Sequence, residues 1–182
     1  VFESSSIPYK PIKYQDLNQV IAGYLQGRCA AMTSDRSQLA AARSGFNNPK
    51  EHIIMDIVLS KEPLAPASEG SDQKLADAMR WVIFALISAE EKGITRSNIE
   101  DKIELAINNP RLKQLRRFLG VDGGLGEKIG LSNDFVINVI KSTGNYGEIY
   151  QRHLGEDSKV TIPRGLNELY KNGGLHISPP FN

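Results

Sequence analysis

The chain changes character once, after Leu59, and that change limits its fold more than any other feature. Before it, short apolar runs alternate with helical patterns. Residues 9–15 carry Ile12 and Tyr14 at alternate positions, with Pro8 and Pro11 near their start, and read as a strand that follows a turn. Asp16 reads as the N-cap of a helix with Leu17, Val20, Ile21, Tyr24 and Leu25 on one face, closed by Gly27. Residues 29–34 read as the next strand, 36–43 as an Ala- and Leu-rich helix, and 52–59 as a further strand rich in Ile and Val. Strands alternating with helices predict an α/β fold with a parallel sheet.

After Leu59 the alternation stops. Residues 60–70 contain Pro63 and Pro66 and no helical periodicity, and read as an extended crossover that leaves one lobe and adds a strand to another. Ser71-Asp72 then caps a long helix with Leu75, Met79, Val82 and Leu86 on one face. Trp81 and Phe84 make that helix apolar nearly all round, the pattern of a helix buried inside a larger body. Exposed apolar surface around Trp81 and Phe84, leading to self-association, is therefore expected. Shorter helices are expected over 95–107, 110–119, 132–142 and 148–154, and a last one over 164–171 before the Gly173-Gly174 turn.

Composition excludes more than it identifies. With 22 basic and 21 acidic side chains the net charge is +1, so there is no basic excess of the kind that binds nucleic acid. The single cysteine, Cys29, rules out an internal disulfide and a Cys-based zinc site, and reads on its own as a small buried hydrophobe. His52, His153 and His176 are far apart and show no metal-ligand spacing. Gly123-Gly124-Leu125-Gly126 lacks the Gly-Lys-Ser/Thr ending of a phosphate loop and follows a helical pattern, so it reads as a turn. Arg111, Lys113, Arg116 and Arg117 read as a solvated face. No nucleophile elbow, paired-Cys motif or His-Glu-x-x-His is present, and no cofactor is expected.

The chemistry concentrates in residues 27–38. The apolar run of 29–34 ends in Thr33 and Ser34, and Asp35 follows, where the next helix begins. A carboxylate at the carboxyl end of a strand and at a helix N-cap stands where open α/β sheets bind small polar ligands, and it can accept hydrogen bonds from an ammonium group. The plainer reading of Asp35 is a helix cap; that of Ser34 and Thr33 is satisfaction of strand-end backbone. Arg36 is placed to meet an acidic side chain or to point to solvent.

Gly27-Arg28-Cys29, four residues, then Ser34-Asp35-Arg36-Ser37 resembles the second lobe of periplasmic amino-acid-binding proteins, specifically the general L-amino-acid-binding component of an ABC importer in solute-binding family 3. The resemblance continues through Ser60-Lys61-Glu62-Pro63-Leu64-Ala65-Pro66, Gly144-Asn145-Tyr146-Gly147-Glu148-Ile149-Tyr150, Gly173-Gly174-Leu175 and Pro179-Pro180, in the family's order. It covers the carboxyl-terminal half of such proteins. It implies a two-lobed type II periplasmic-binding-protein fold: residues 1–60 as the second, sheet-containing lobe, incomplete, and 61–182 as a mainly helical return to the first lobe.

The resemblance also implies a function. Asp35 would take the α-ammonium of a bound L-amino acid, with Ser34 beside the ligand, and the cargo would pass to an ABC permease in the inner membrane. It implies a binding protein rather than an enzyme, a periplasmic location with a signal peptide upstream of Val1, and Cys29 as half of a disulfide with a cysteine upstream. The Gly144 to Tyr150 signature is expected to be structural. A dehydratase-like enzyme and a ligand-sensing module on the same fold are the alternatives.

Overall fold

A computed structural model describes residues 6–60 and 63–181. Two compact units divide at Leu64, Val1–Leu64 and Ala65–Asn182. Lys61 and Glu62 of the expected crossover lie outside the described residues.

The second unit is built on one helix. Helices α1 (Leu17–Leu25) and α2 (Arg36–Ser44) belong to the first unit; α3 (Gln73–Glu91) begins the second. Asp72 caps α3 by accepting the Leu75 amide, as its sequence implies. The helix presents Ala85, Ser88 and Ala89, spaced three and four residues apart, as a fully buried stripe of small side chains. Small residues let other helices approach closely, and α7 (Phe135–Thr143) and α8 (Tyr146–His153) pack there. Helix α3 ends in the left-handed turn that favours glycine: Gly93 has φ +63°, and the Ile94 amide reaches back to the Ala89 carbonyl at 2.8 Å. Ile94 is thereby driven into the core, with Ile99 and Ala106 of α4 (Ile99–Asn108), Phe118 of α5 (Lys113–Phe118), and Val136 and Ile140 of α7.

Three expectations for this unit need correction. Trp81 and Phe84 do not form an exposed apolar surface. Both are partly buried against the core, and the chain's own tail covers Trp81: Phe181 lies edge-on to its ring at 5.1 Å and to Phe118 at 4.9 Å. The glycine-rich turn leads into an additional one-turn helix, α6 (Leu125–Lys128). The helix expected over 164–171 is instead two 3-10 turns, Gly165–Asn167 and Tyr170–Asn172.

Arg116 also departs from the solvated face assigned to it. Its guanidinium donates to the Ala106 and Ile107 carbonyls at the end of α4 and to both oxygens of Asp122, at 2.6 and 3.0 Å. A cation on the open carbonyls of a helix C-terminus satisfies groups that the helix itself cannot. The bond from Arg116 holds the Asp122 carboxyl below its ordinary range.

The tail is strapped to α3 by polar groups as well. The Arg164 guanidinium makes a two-pronged contact with Glu90, donates to the Asn167 carbonyl at 2.8 Å, and lies over the rings of Tyr146 and Tyr150. Both Arg164 and Glu90 are largely buried, 17% and 14% exposed. Lys171 donates to the Glu91 carbonyl, and the Ser178 amide to the Glu91 carboxylate. His176 sits edge-on against Tyr146 at 4.4 Å.

The first unit contains the two helices, a 3-10 turn at Pro49–Glu51 and the segments 9–15, 29–34 and 52–59, which are neither helix nor strand. The parallel sheet expected of them is not formed among the described residues, where the β pairing recorded is an isolated bridge between Leu169 and His176. The expected strand of the crossover is likewise not formed in 63–70. The reason is physical. A helix satisfies its own backbone, but a strand needs a neighbouring strand to bond to. The segments are held by side chains instead. Tyr14 lies over Gly23 of α1, where a Cβ would stand 2.3 Å from its hydroxyl oxygen.

Two outcomes follow for the second unit. Ile140→Ala empties a fully buried site and should cost about 2–5 kcal/mol, read from urea unfolding monitored by Trp81, the single tryptophan. Burial, and after it the charge of Arg164, hold His176 below the ordinary histidine value, against Glu90 and Glu168. The unfolded chain therefore binds a proton more readily, so stability should fall as pH drops below about 6.5. The urea midpoint should decrease between pH 7.5 and 5.5, and less so in His176→Phe.

Candidate functional site

The residues assigned to chemistry lie at one end of the 29–34 segment. Asp35 is the N-cap residue of α2, with extended backbone (φ −55°, ψ 141°), and its carbonyl accepts the Leu39 amide at 2.9 Å. The side chain, however, makes no capping hydrogen bond to α2, unlike those of Asp16, Asp72 and Asn145 at their helices. Asp35 is half-buried. The plain capping role is thus not what its carboxylate performs.

Ser34 is also half-buried, and its hydroxyl donates to Gln38 Oε1 at 2.6 Å, one helical turn on. This bond gives Ser34 a local partner and orients its hydroxyl along the start of α2. Thr33 is exposed.

Arg36 is tied to the 52–59 segment: its Nη2 donates to Asp56 Oδ1 at 2.7 Å. Asp56 is a polar residue among Ile53, Met55, Ile57 and Val58, all of which are exposed, Ile53 to 85%. Neither Asp56 nor Gln38 was singled out from the sequence. Asp56 had a legible signal, a carboxylate inside an otherwise apolar run, but no sequence spacing pairs it with Arg36.

Cys29, at the other end of the segment, is partly exposed rather than fully buried, and its sulfur is 3.8 Å from the Tyr14 hydroxyl. That contact is the main reason the Tyr14 hydroxyl titrates above its ordinary value. The remaining polar cluster of this unit is aromatic: the Tyr24 hydroxyl meets His52 Nδ1 at 2.7 Å, and Phe46 lies edge-on to His52 at 4.7 Å. The three rings, each partly buried, pack against one another.

The second unit carries a groove of about 410 Å³ lined by Glu100, Asp101, Ile103, Glu104, Ile107 and Asn108, all from α4. The Gly144 to Tyr150 signature is structural, as its residues suggest. Asn145 and Glu148 form a capping box that starts α8, and Asn145 Nδ2 donates to the buried Ile94 carbonyl at 2.8 Å. Among the described residues no group of three or more His, Cys, Asp or Glu side chains is placed to hold a metal ion, and no helix is long and apolar enough to cross a membrane.

Comparison with known proteins shows what the chain is similar to. No family model matches the chain. It is 41% identical over 181 residues to the general L-amino acid-binding periplasmic protein AapJ of Rhizobium johnstonii, covering 98% of this chain and 52% of the relative. It is 37% identical over 180 residues to the glutamate/glutamine/aspartate/asparagine-binding protein BztA of Rhodobacter capsulatus, with 99% and 52% covered. The chain is a homologue of the carboxyl-terminal half of periplasmic amino-acid-binding proteins. It spans about half the length of the curated relatives it matches. Its structure is similar to that of an ABC transporter periplasmic binding protein from Brucella ovis with glutathione bound, at a TM-score of 0.88 and 36% identity, over 100% of this chain and 56% of the other. The chain's fold therefore matches part of a periplasmic binding protein.

Proposed function

We propose that the protein captures L-amino acids between two lobes and delivers them to an ABC permease in the inner membrane, without chemistry. The observation that carries this reading is the likeness over nearly the whole chain to proteins named for amino-acid binding. In this reading residues 1–60 belong to the second lobe and 61–182 return to the first. Segments 9–15, 29–34 and 52–59 become strands of a parallel sheet when the rest of the fold supplies their neighbours. The exposed row Ile53, Met55 and Ile57 supports this, since alternate apolar residues are what a sheet face buries. The protein works in the periplasm, reached by means of a signal peptide upstream. Self-association of the chain by itself would then use this row rather than Trp81 and Phe84.

Asp35 is the ammonium anchor, with Ser34 beside the ligand. The place of this half-buried carboxylate, at the end of the 29–34 segment and the start of α2, supports the assignment. Its bonds to an ammonium group are charge-assisted, and closure of a cleft over them removes the water that weakens such contacts. Breaking a buried pair of this kind costs about 3–5 kcal/mol. Asp35→Ala, in the protein at its full natural length, should therefore weaken amino-acid binding at least ~100-fold by calorimetric titration. Unchanged affinity removes Asp35 from the site.

A glutathione-like ligand is the second reading, favoured by the molecule bound in the Brucella protein. The γ-glutamyl end of glutathione carries the same α-ammonium and α-carboxylate as an amino acid, so Asp35 would serve both. Titration of glutathione against a protein saturated with L-glutamate separates the readings: displacement at comparable affinity favours the peptide. Cys29 is proposed as half of a disulfide with an upstream cysteine, which suits an oxidising compartment. Intact mass under non-reducing conditions should show Cys29 linked; a free thiol contradicts the pairing.

A further inference from the structure

The Arg36–Asp56 ion pair is a short polar contact of the first unit in which the ammonium anchor takes no part. It joins the first residue of α2, next to Asp35, to the middle of the 52–59 segment. As a stabilising contact it is weak: the side chains are 48% and 90% exposed, and pairs so exposed contribute about 0–1 kcal/mol. Asp56 engages one N–H of the guanidinium, at 2.7 Å, and among the described residues Arg36 has no other hydrogen-bond partner. A guanidinium has five N–H donors in a planar fork that fits a carboxylate. The remaining donors, half-exposed on the residue that follows the anchor, are free to donate to an acidic group.

We propose that Arg36 reads the side chain of the bound amino acid, selecting acidic side chains, and that Asp56 occupies part of the guanidinium and competes with the ligand for it. The inference rests on Asp35 as the ammonium anchor. An amino acid whose ammonium is held at Asp35 has its side chain within a few bonds of the anchor, and Arg36 is the adjacent residue in the chain. A carboxylate side chain would complete the fork that Asp56 only partly fills. An amide of the same shape offers a neutral oxygen and gains less, because hydrogen bonds to charged acceptors are roughly twice as strong as neutral ones.

The test compares L-glutamate with its near-isostere L-glutamine, by calorimetric titration into the protein at its full natural length. Wild type, Arg36→Gln, Asp56→Asn and Asp35→Asn are measured side by side. Arg36→Gln should weaken L-glutamate about tenfold or more, the equivalent of 1.4 kcal/mol, while L-glutamine stays within about twofold. Asp56→Asn should shift the ratio of affinities toward L-glutamate, since a competing carboxylate is gone; a purely structural role would weaken both ligands together. Equal losses for both ligands in Arg36→Gln, or none for either, overturn the assignment of Arg36 alone, provided Asp35→Asn abolishes binding. If Asp35→Asn leaves both affinities unchanged, or the wild type binds neither ligand, the anchor and this proposal both fall.

Discussion

A helix hydrogen-bonds to itself and a strand does not; most of what distinguishes the two units comes from that asymmetry. In the second unit every long element is a helix, so each can form once its ends are capped, and packing has only to bury one face. The capping groups are in the chain: Asp72 for α3, the Asn145–Glu148 box for α8, and Arg116 on the last carbonyls of α4. The small residues of α3 then bring α7 and α8 close, and the tail closes the remaining apolar side with Phe181. In the first unit the helices form for the same reason, but segments 9–15, 29–34 and 52–59 have donors and acceptors with no ladder among the described residues. Their side chains hold them through a few contacts, Tyr14 on Gly23 and Arg36 on Asp56, while their apolar residues stay exposed.

The tail strap shows how a buried charge is used where apolar packing alone would leave the chain end loose. Glu90 and Arg164 are nearly enclosed, and their mutual contact is supported by the Asn167 carbonyl and two tyrosine rings. Such a pair adds little net stability over apolar residues of the same size, but removing one partner strands the other. It therefore favours one arrangement of the tail over alternatives. Gly147 belongs to the same arrangement: a Cβ there would stand 2.8 Å from Glu90 Oε1. His176 packs on Tyr146 of the same site, and its titration reports on the strap through its burial and, after that, the charge of Arg164.

Much of this was legible in the residues, and the remainder was not, for identifiable reasons. Helices α1 and α3 follow from Asp16 and Asp72 ahead of periodic apolar residues, and α2 from the Ala-rich run after Asp35. The Gly144 to Tyr150 motif announced its turn and closing helix. Periodicity did not reveal that Trp81 would be covered by Phe181, a contact spanning 100 residues of sequence. The 164–171 segment has helical residue types, yet Arg164 is committed to Glu90 and the backbone tightens into 3-10 turns around it. Strand patterns in 29–34 and 52–59 report which face is apolar, but not where partner strands come from. Asp35 stood out from its place before α2, whereas Asp56 became visible only when the structure paired it with Arg36.

The central claim is that the end of the 29–34 segment is a ligand site on a sheet completed by the rest of a two-lobed protein. Amide hydrogen exchange of the protein at its full natural length, with and without saturating L-amino acid, tests it most directly. The account predicts slow exchange across 29–34 and 52–59, and further slowing at residues 33–37 when the amino acid is added. Exchange across both segments as fast as in an unpaired chain, unchanged by the ligand, would contradict it.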